Sequence, residues 1–197
     1  MTESPRSPRI AHLEAPFEPS VQQALEMMMP MDRGVEPLRL FRTIARDLPL
    51  GAAMGAIGRF VLSKRSSGGA AFDLRTRELV INRVTARCDC EYEWGVHVAG
   101  FAAKAGLTAD QIYSTVHGGS HDGCWSPKDA AVIEMVDALH DTGRVPDSVW
   151  DALSAHFDED ALLELLVLAG WYHAISFLAN GAGTELEPWA ARFPERG

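Results

Sequence analysis

Apolar residues recur at three- and four-residue steps along most of the chain, the period of helices buried by one face. PSVQQALEMMMP predicts a short helix stopped by Pro30. VEPLRLFRTIARDL aligns Leu38, Phe41, Ile44 and Leu48, and LGAAMGAIGRFVLSK carries Gly51, Gly55 and Gly58 at a spacing suited to close helix packing. SSGGA predicts a flexible loop. Asp73 reads as the N-cap of a helix over 73–87, and a second helix over about 90–105 stops at Gly106. Thr108 caps TADQIYSTVH, and HGGSHDG is a loop. Ser126 and Pro127 open a helix that ends at Gly143, PDSVWDALSAHF forms another, and a long apolar helix covers about 159–180. No alternating run is flanked by hairpin turns. The expectation is an all-α fold with one domain over 21–197, its first helices forming an N-terminal extension, behind a flexible arm over 1–20.

The longest apolar stretch, ALLELLVLAGWYHAISFLANGAG at 161–183, contains Glu164, His173 and Asn180 and follows acidic rather than basic residues. These features favour the central buried helix of a bundle over a membrane span. Charge narrows the choice of partner. Eighteen basic residues against 27 acidic ones give a net charge of −9, and the basic ones are scattered. Arg75, Arg77, Arg83 and Arg87 form the densest group and are diluted by glutamate and apolar residues, so no nucleic-acid surface is expected. Three cysteines make no disulfide framework and point to a reducing cytoplasm. The N-terminus lacks the apolar core of a signal peptide.

The chemistry concentrates in CDCEYEWGVH, residues 88–97. Cys90, Glu93 or Trp94, His97, Phe101 and Ala105 recur at three- and four-residue steps and line one face. Glu93 lies one turn before His97, within reach of its imidazole. Cys90 lies a turn nearer the N-terminus, where the helix dipole lowers a thiol pKa. On the preceding helix Glu78 is four residues after Leu74 and three before Ile81, so it points into the core. A buried carboxylate needs a partner, and the tight connection after Cys88 brings the second helix alongside. Spacing alone leaves two readings: an acid–base site, or a satisfied core histidine with a helix-surface contact. Glu93 and His97 offer two metal ligands and the pattern supplies no third. His117, His121 and Cys124 sit in a glycine-rich loop without the paired spacing of a zinc site. They are read as loop residues and no metal is assigned. Cys88 and Cys90 bracket one residue, so they are not a Cys-X-X-Cys redox pair.

The run RELVINRVTARCDCEYEWGVHVAGFAAKAGLTADQI resembles the carboxymuconolactone decarboxylase and alkylhydroperoxidase D (AhpD) superfamily. The likeness covers roughly residues 35–193 and is strongest over 75–112. In the peroxidase branch a glutamate on the first helix precedes Cys-X-X-Cys-X-X-X-His. Glu78, Cys90 and His97 match that glutamate, the first cysteine and the histidine. Glu93 replaces the second cysteine, and Tyr92 stands where some peroxidases carry another histidine. A dithiol cycle needs both sulfurs, so the pattern is nearer the decarboxylase branch.

The resemblance implies an AhpD-like helical bundle assembled as a homo-oligomer, a trimer or hexamer, acting on a small-molecule substrate. It implies acid–base chemistry without metal or organic cofactor, decarboxylation or isomerisation of a small carboxylated lactone or carbonyl compound. His97, Glu93 and Glu78 would be catalytic, Tyr92 and Trp94 would shape the pocket, and Arg83 would pair with a substrate carboxylate. The competing expectations are a thiol peroxidase using Cys90, and an oligomeric scaffold without catalysis.

Overall fold

Side-chain caps set where most helices begin. The computed structural model describes residues 7–29, 36–63 and 71–196. Its helices are α1 (Pro19–Met28), α2 (Arg39–Ile44), α3 (Leu48–Leu62), α4 (Leu74–Arg87), α5 (Glu91–His97), α6 (Ala109–His117), α7 (Pro127–Thr142), α8 (Asp147–Ser154) and α9 (Glu159–Ala182). Among the described residues there is no strand. Asp47, Asp73 and Asp158 cap α3, α4 and α9, each accepting from a backbone N–H of the first turn. Thr108 with Gln111, and Ser126 with Asp129, close reciprocal capping boxes on α6 and α7. Pro30 and the SSGGA loop lie outside the described residues.

The core is organised around α4. Residues Glu78 to Thr85 are all buried, and the helix packs against α5, α6, α7 and α9. Leu79, Ile81 and Val84 meet Val132, Ile133 and Val136 of α7, and Leu165 and Leu168 of α9, within one apolar cluster. This corrects the expectation for the last helix. α9 is long and apolar enough by length and composition to cross a membrane. It buries Leu162, Leu165, Leu168 and Tyr172 but leaves Leu163 and Phe177 64% and 66% exposed. It is a flanking helix, and the central one is α4.

Two further expectations change. Residues 7–18, read as part of a flexible arm, lie on the body. Arg9 and Ile10 donate backbone hydrogen bonds to Ala182 O, and Leu13 donates to Arg42 O. The continuous helix expected over about 90–105 is α5 followed by a π-helical turn at Val98–Ala102. The extension packs as the glycine spacing predicts. A Cβ at Gly51 or Gly55 would sit 3.6 or 3.3 Å from Met28, which presses α1 onto α3.

The hinge between α4 and α5 positions the site. Asp89 adopts φ 51°, a left-handed conformation that Asp tolerates better than most residues. Cys90 N–H then donates 2.8 Å to Thr85 O, the six-residue bond of a Schellman stop. The chain reverses in three residues and α5 runs back along α4. Gly95 holds the C-terminal tail against α5. Its carbonyl accepts from Ala191 N–H at 3.1 Å, and a Cβ there would lie 2.2 Å from Ala191 O, so no other residue fits without moving the tail.

Candidate active site

Three helices bring four polar side chains to one buried point. Glu78 comes from the buried face of α4, Glu93 and His97 from the first and last turns of α5, and Tyr172 from the middle of α9. All four are 5% exposed or less. His97 Nδ1 lies 2.8 Å from Glu78 Oε2, and Glu78 Oε1 accepts from Arg77 Nε at 2.9 Å. A carboxylate only accepts, so Nδ1 carries a proton, and in the neutral form of the ring Nε2 bears the lone pair. Tyr172 O–H stands 3.0 Å from Nε2 and donates to that lone pair. Glu93 Oε2 is 3.6 Å from the same nitrogen, within charge contact but beyond hydrogen-bond length. The partner expected from spacing is therefore the looser one, and Glu78, across the helix interface, makes the short bond.

Burial sets the protonation of two members. It pushes the Glu93 carboxyl above the usual carboxylate range. His97 nearby partly opposes this, and the negative charges of Glu187 and Glu78 add to it. Burial also raises the Tyr172 phenol well above its ordinary value, with Glu93 and Glu78 contributing. Each shift favours the protonated, proton-donating form.

His97, Glu93 and Tyr172 open on a cavity of about 720 Å³; Glu78 stands behind them. The opposite walls are apolar: Met28, Phe41, Ile44 and Met54 from the extension and α3, and Trp171 from α9. Phe101 lies 5.4 Å from the His97 ring, in the π-helical turn, a local geometry frequent at functional sites. Among the described residues, the cations on the cavity wall are Arg59 and Lys104.

The other sequence-derived assignments fall away from the cavity. Arg83 is buried and fully engaged. It makes two 2.7 Å bonds to Asp137 and donates to the carbonyls of Thr115 and Gly118. It ties α4 to α7 and to the end of α6, leaving nothing for a substrate carboxylate. Tyr92 donates to Glu187 Oε1 at 2.7 Å and accepts from Leu40 N at 3.0 Å, joining α5 to α2 and the tail. Trp94 donates to Thr115 Oγ1 on the far side of α5. Cys90 is fully buried at the N-cap of α5 and does not line the cavity. Burial outweighs the helix dipole and pushes its thiol up to about 12. His117 bonds Pro194 O, His121 is exposed, and the two do not gather with Cys124 into a ligand set.

Residues 52–136 match the model of the carboxymuconolactone decarboxylase family. An uncharacterised Bacillus subtilis (strain 168) protein, YdfG, is 30% identical over 95 residues, 47% of this chain. That match spans 63% of YdfG, less than two thirds of its length. Solved structures share the fold. An uncharacterised peroxidase-related protein from Silicibacter sp. TM1040 has a TM-score of 0.75 at 13% identity, covering 98% of this chain and 100% of that one. The debrominase Bmp8, in a complex with 2,3,4-tribromopyrrole, gives 0.73 at 10% identity over 94% and 95%. A protein of unknown function from Agrobacterium tumefaciens gives 0.60 at 20% identity over 69% and 89%.

Proposed function

We propose that this chain, which belongs to the carboxymuconolactone decarboxylase and AhpD-like superfamily, is an acid–base enzyme acting on a small carbonyl or lactone acid with an apolar body. The observation that carries the reading is His97, held by Glu78 on Nδ1 and capped by Tyr172 on Nε2, at the wall of an apolar cavity. Glu78 fixes the ring so that Nε2 faces the cavity side. A substrate oxygen placed there accepts from the Tyr172 hydroxyl and the protonated Glu93 carboxyl, which stabilise the developing enolate. As Tyr172 turns to the substrate, the Nε2 lone pair is released to take a proton from the adjacent carbon. In a decarboxylation, loss of CO₂ leaves the same enolate, and a proton from Glu93 or a protonated His97 completes the product. Arg59 and Lys104, rather than Arg83, are the cations placed to meet a substrate carboxylate.

A thiol-peroxidase reading through Cys90 has less support. The sulfur is buried away from the cavity with its thiol pushed up to about 12, and Glu93 occupies the helical position of a resolving cysteine. The discriminating experiment incubates the protein with γ-lactone acids, α- and β-keto acids and organic hydroperoxides, following CO₂ release, deuterium uptake at carbon and dithiol-dependent peroxide loss. Turnover is expected on the carbon acids and is expected to survive Cys90→Ser. Efficient peroxide reduction abolished by Cys90→Ser reverses the ranking, and inertness to every compound returns the chain to a scaffold role.

The outward side of α9 supports assembly as a homo-oligomer. Leu163, Val167 and Phe177 are exposed on it. Sedimentation at micromolar concentration is expected to show a species of at least three chains, and a stable 21.5 kDa monomer contradicts this.

A further inference from the structure

Among the described residues, one group of side chains outside the cavity has convergent ligand atoms. Cys88 caps the C-terminal end of α4, His140 lies near the end of α7, and His173 lies on α9 next to Tyr172. Their nearest ligand atoms all fall within 4.8 Å of one another, and the three residues are half-buried, so the group is both assembled and reachable from solvent. None of them lines the cavity described above.

We propose that Cys88, His140 and His173 bind one divalent transition-metal ion of the zinc class. The donor set is two imidazoles and a thiolate, a borderline-soft combination that suits zinc and its congeners and is poorly matched to magnesium or calcium. The His173 ring is already oriented as a ligand. Its Nδ1 lies 2.8 Å from Ala169 O, and a carbonyl only accepts, so Nδ1 carries the proton and Nε2 is bare. That bare nitrogen faces His140 Nδ1 at 3.1 Å, and the two rings stack with centroids 5.3 Å apart. In the metal-free protein a single proton on His140 Nδ1 bridges the pair. An ion entering between them takes both lone pairs, and the His140 proton moves to Nε2 of the same ring.

The third donor separates this from an ordinary histidine pair. Cys88 must lose its thiol proton, so one proton leaves per ion bound: Cys–SH and M²⁺ give Cys–S–M⁺ and H⁺. The fully buried Ser176 hydroxyl, one turn beyond His173, stands beside the sulfur and can donate to a thiolate there. Arg87 is the neighbouring cation, and Asp141 and Asp137 both engage it. Tetrahedral bonds of zinc to nitrogen and sulfur require ligand atoms about 3.3–3.8 Å apart. The histidine nitrogens already meet that spacing to within a few tenths of an ångström, and the sulfur closes by side-chain motion on the order of 1 Å. Three protein ligands leave a fourth position to water, as in sites that are open rather than sealed. Bound metal would clamp α4, α7 and α9 together.

The test uses the full chain, stripped by dialysis against a chelator. One equivalent of Co²⁺ is expected to give d–d bands and a near-ultraviolet thiolate-to-cobalt charge-transfer band, and Zn²⁺ is expected to bleach both. Cys88→Ser is expected to lose the charge-transfer band. His140→Gln and His173→Gln are each expected to weaken Zn²⁺ binding at least about 10-fold, since even outer-shell changes cost that much. Circular dichroism checks that the variants are folded. A readout free of mutation is alkylation of Cys88 in the unmodified chain, expected to slow in the presence of Zn²⁺. The proposal is overturned if Co²⁺ gives no charge-transfer band, if the band persists in Cys88→Ser, if neither histidine variant changes Zn²⁺ affinity, or if Zn²⁺ leaves Cys88 alkylation unchanged.

Discussion

His97→Gln is expected to lower turnover about 10²–10⁴-fold while the protein remains a folded helical bundle. Glutamine keeps a polar group near Glu78 and Tyr172 but cannot exchange a proton at the position of Nε2. Glu78→Gln is expected to lose activity as well, by a different route. Its carboxylate accepts from both His97 and Arg77, and an amide cannot accept at both positions, so the imidazole loses its fixed tautomer. Removing one partner of a buried charged pair is strongly destabilising, on the order of 3–5 kcal/mol. A lowered melting temperature is therefore expected for Glu78→Gln, and much less for His97→Gln. Because the two residues act as one unit, the double variant is expected to be little less active than His97→Gln alone. Turnover and circular dichroism on the four proteins decide it. Full activity in His97→Gln, or multiplicative losses across the cycle, would make the pair structural.

The helical periods, the caps and the family resemblance placed most elements, because each of those signals is local. The buried position of Glu78 was legible for the same reason: Leu74 and Ile81 flank it on one helical face. The partnership of His97 was less so. An i, i+4 contact is guaranteed to be near but not to be short, and the facing helix supplied the better-placed carboxylate at 2.8 Å against 3.6 Å. Tyr172 lies 75 residues from His97, and no local pattern announces a contact at that range. The available hint was a phenol inside an apolar run, which when buried needs a partner for its hydroxyl.

Tyr92 and Trp94 lie off the cavity for a simpler reason. Each is one residue from Glu93, about 100° around the helix at 3.6 residues per turn, so both point away from the face that Glu93 and His97 share. Arg83, five residues past Glu78, is turned by a similar argument toward α7, where Asp137 takes it. For the Cys90 thiol, spacing reveals the helix dipole but not burial, and desolvation is the larger effect. The last helix is apolar on both sides. Sequence alone reads that as central burial, whereas here one side packs on α4 and the other faces outward.

Glu93→Gln is expected to lose activity and gain stability at the same pH. The carboxyl is buried, and burial is the main cause of its raised pKa. The folded state therefore resists the ionised form while the unfolded chain accepts it. With the folded pKa above the unfolded one, the contribution of Glu93 to stability is fully present below about 4.5, near the unfolded value, and is lost as pH rises through the folded pKa. Glutamine has the same shape and nothing to ionise, so it removes that loss. The melting temperature of Glu93→Gln relative to the parent is expected to climb from acid toward neutral and alkaline pH. Turnover is expected to fall about 10²–10⁴-fold, the cost of a missing acid. A residue whose role is only packing or pairing would not split the two readouts in this way. A carboxylate kept ionised by His97 would give the opposite melting trend, with the glutamine variant less stable as pH rises. Thermal denaturation of both proteins from pH 4 to 9, beside initial rates on the same preparations, separates these outcomes. A melting difference that falls with pH would assign Glu93 to an ion pair with His97 and remove it as a proton donor.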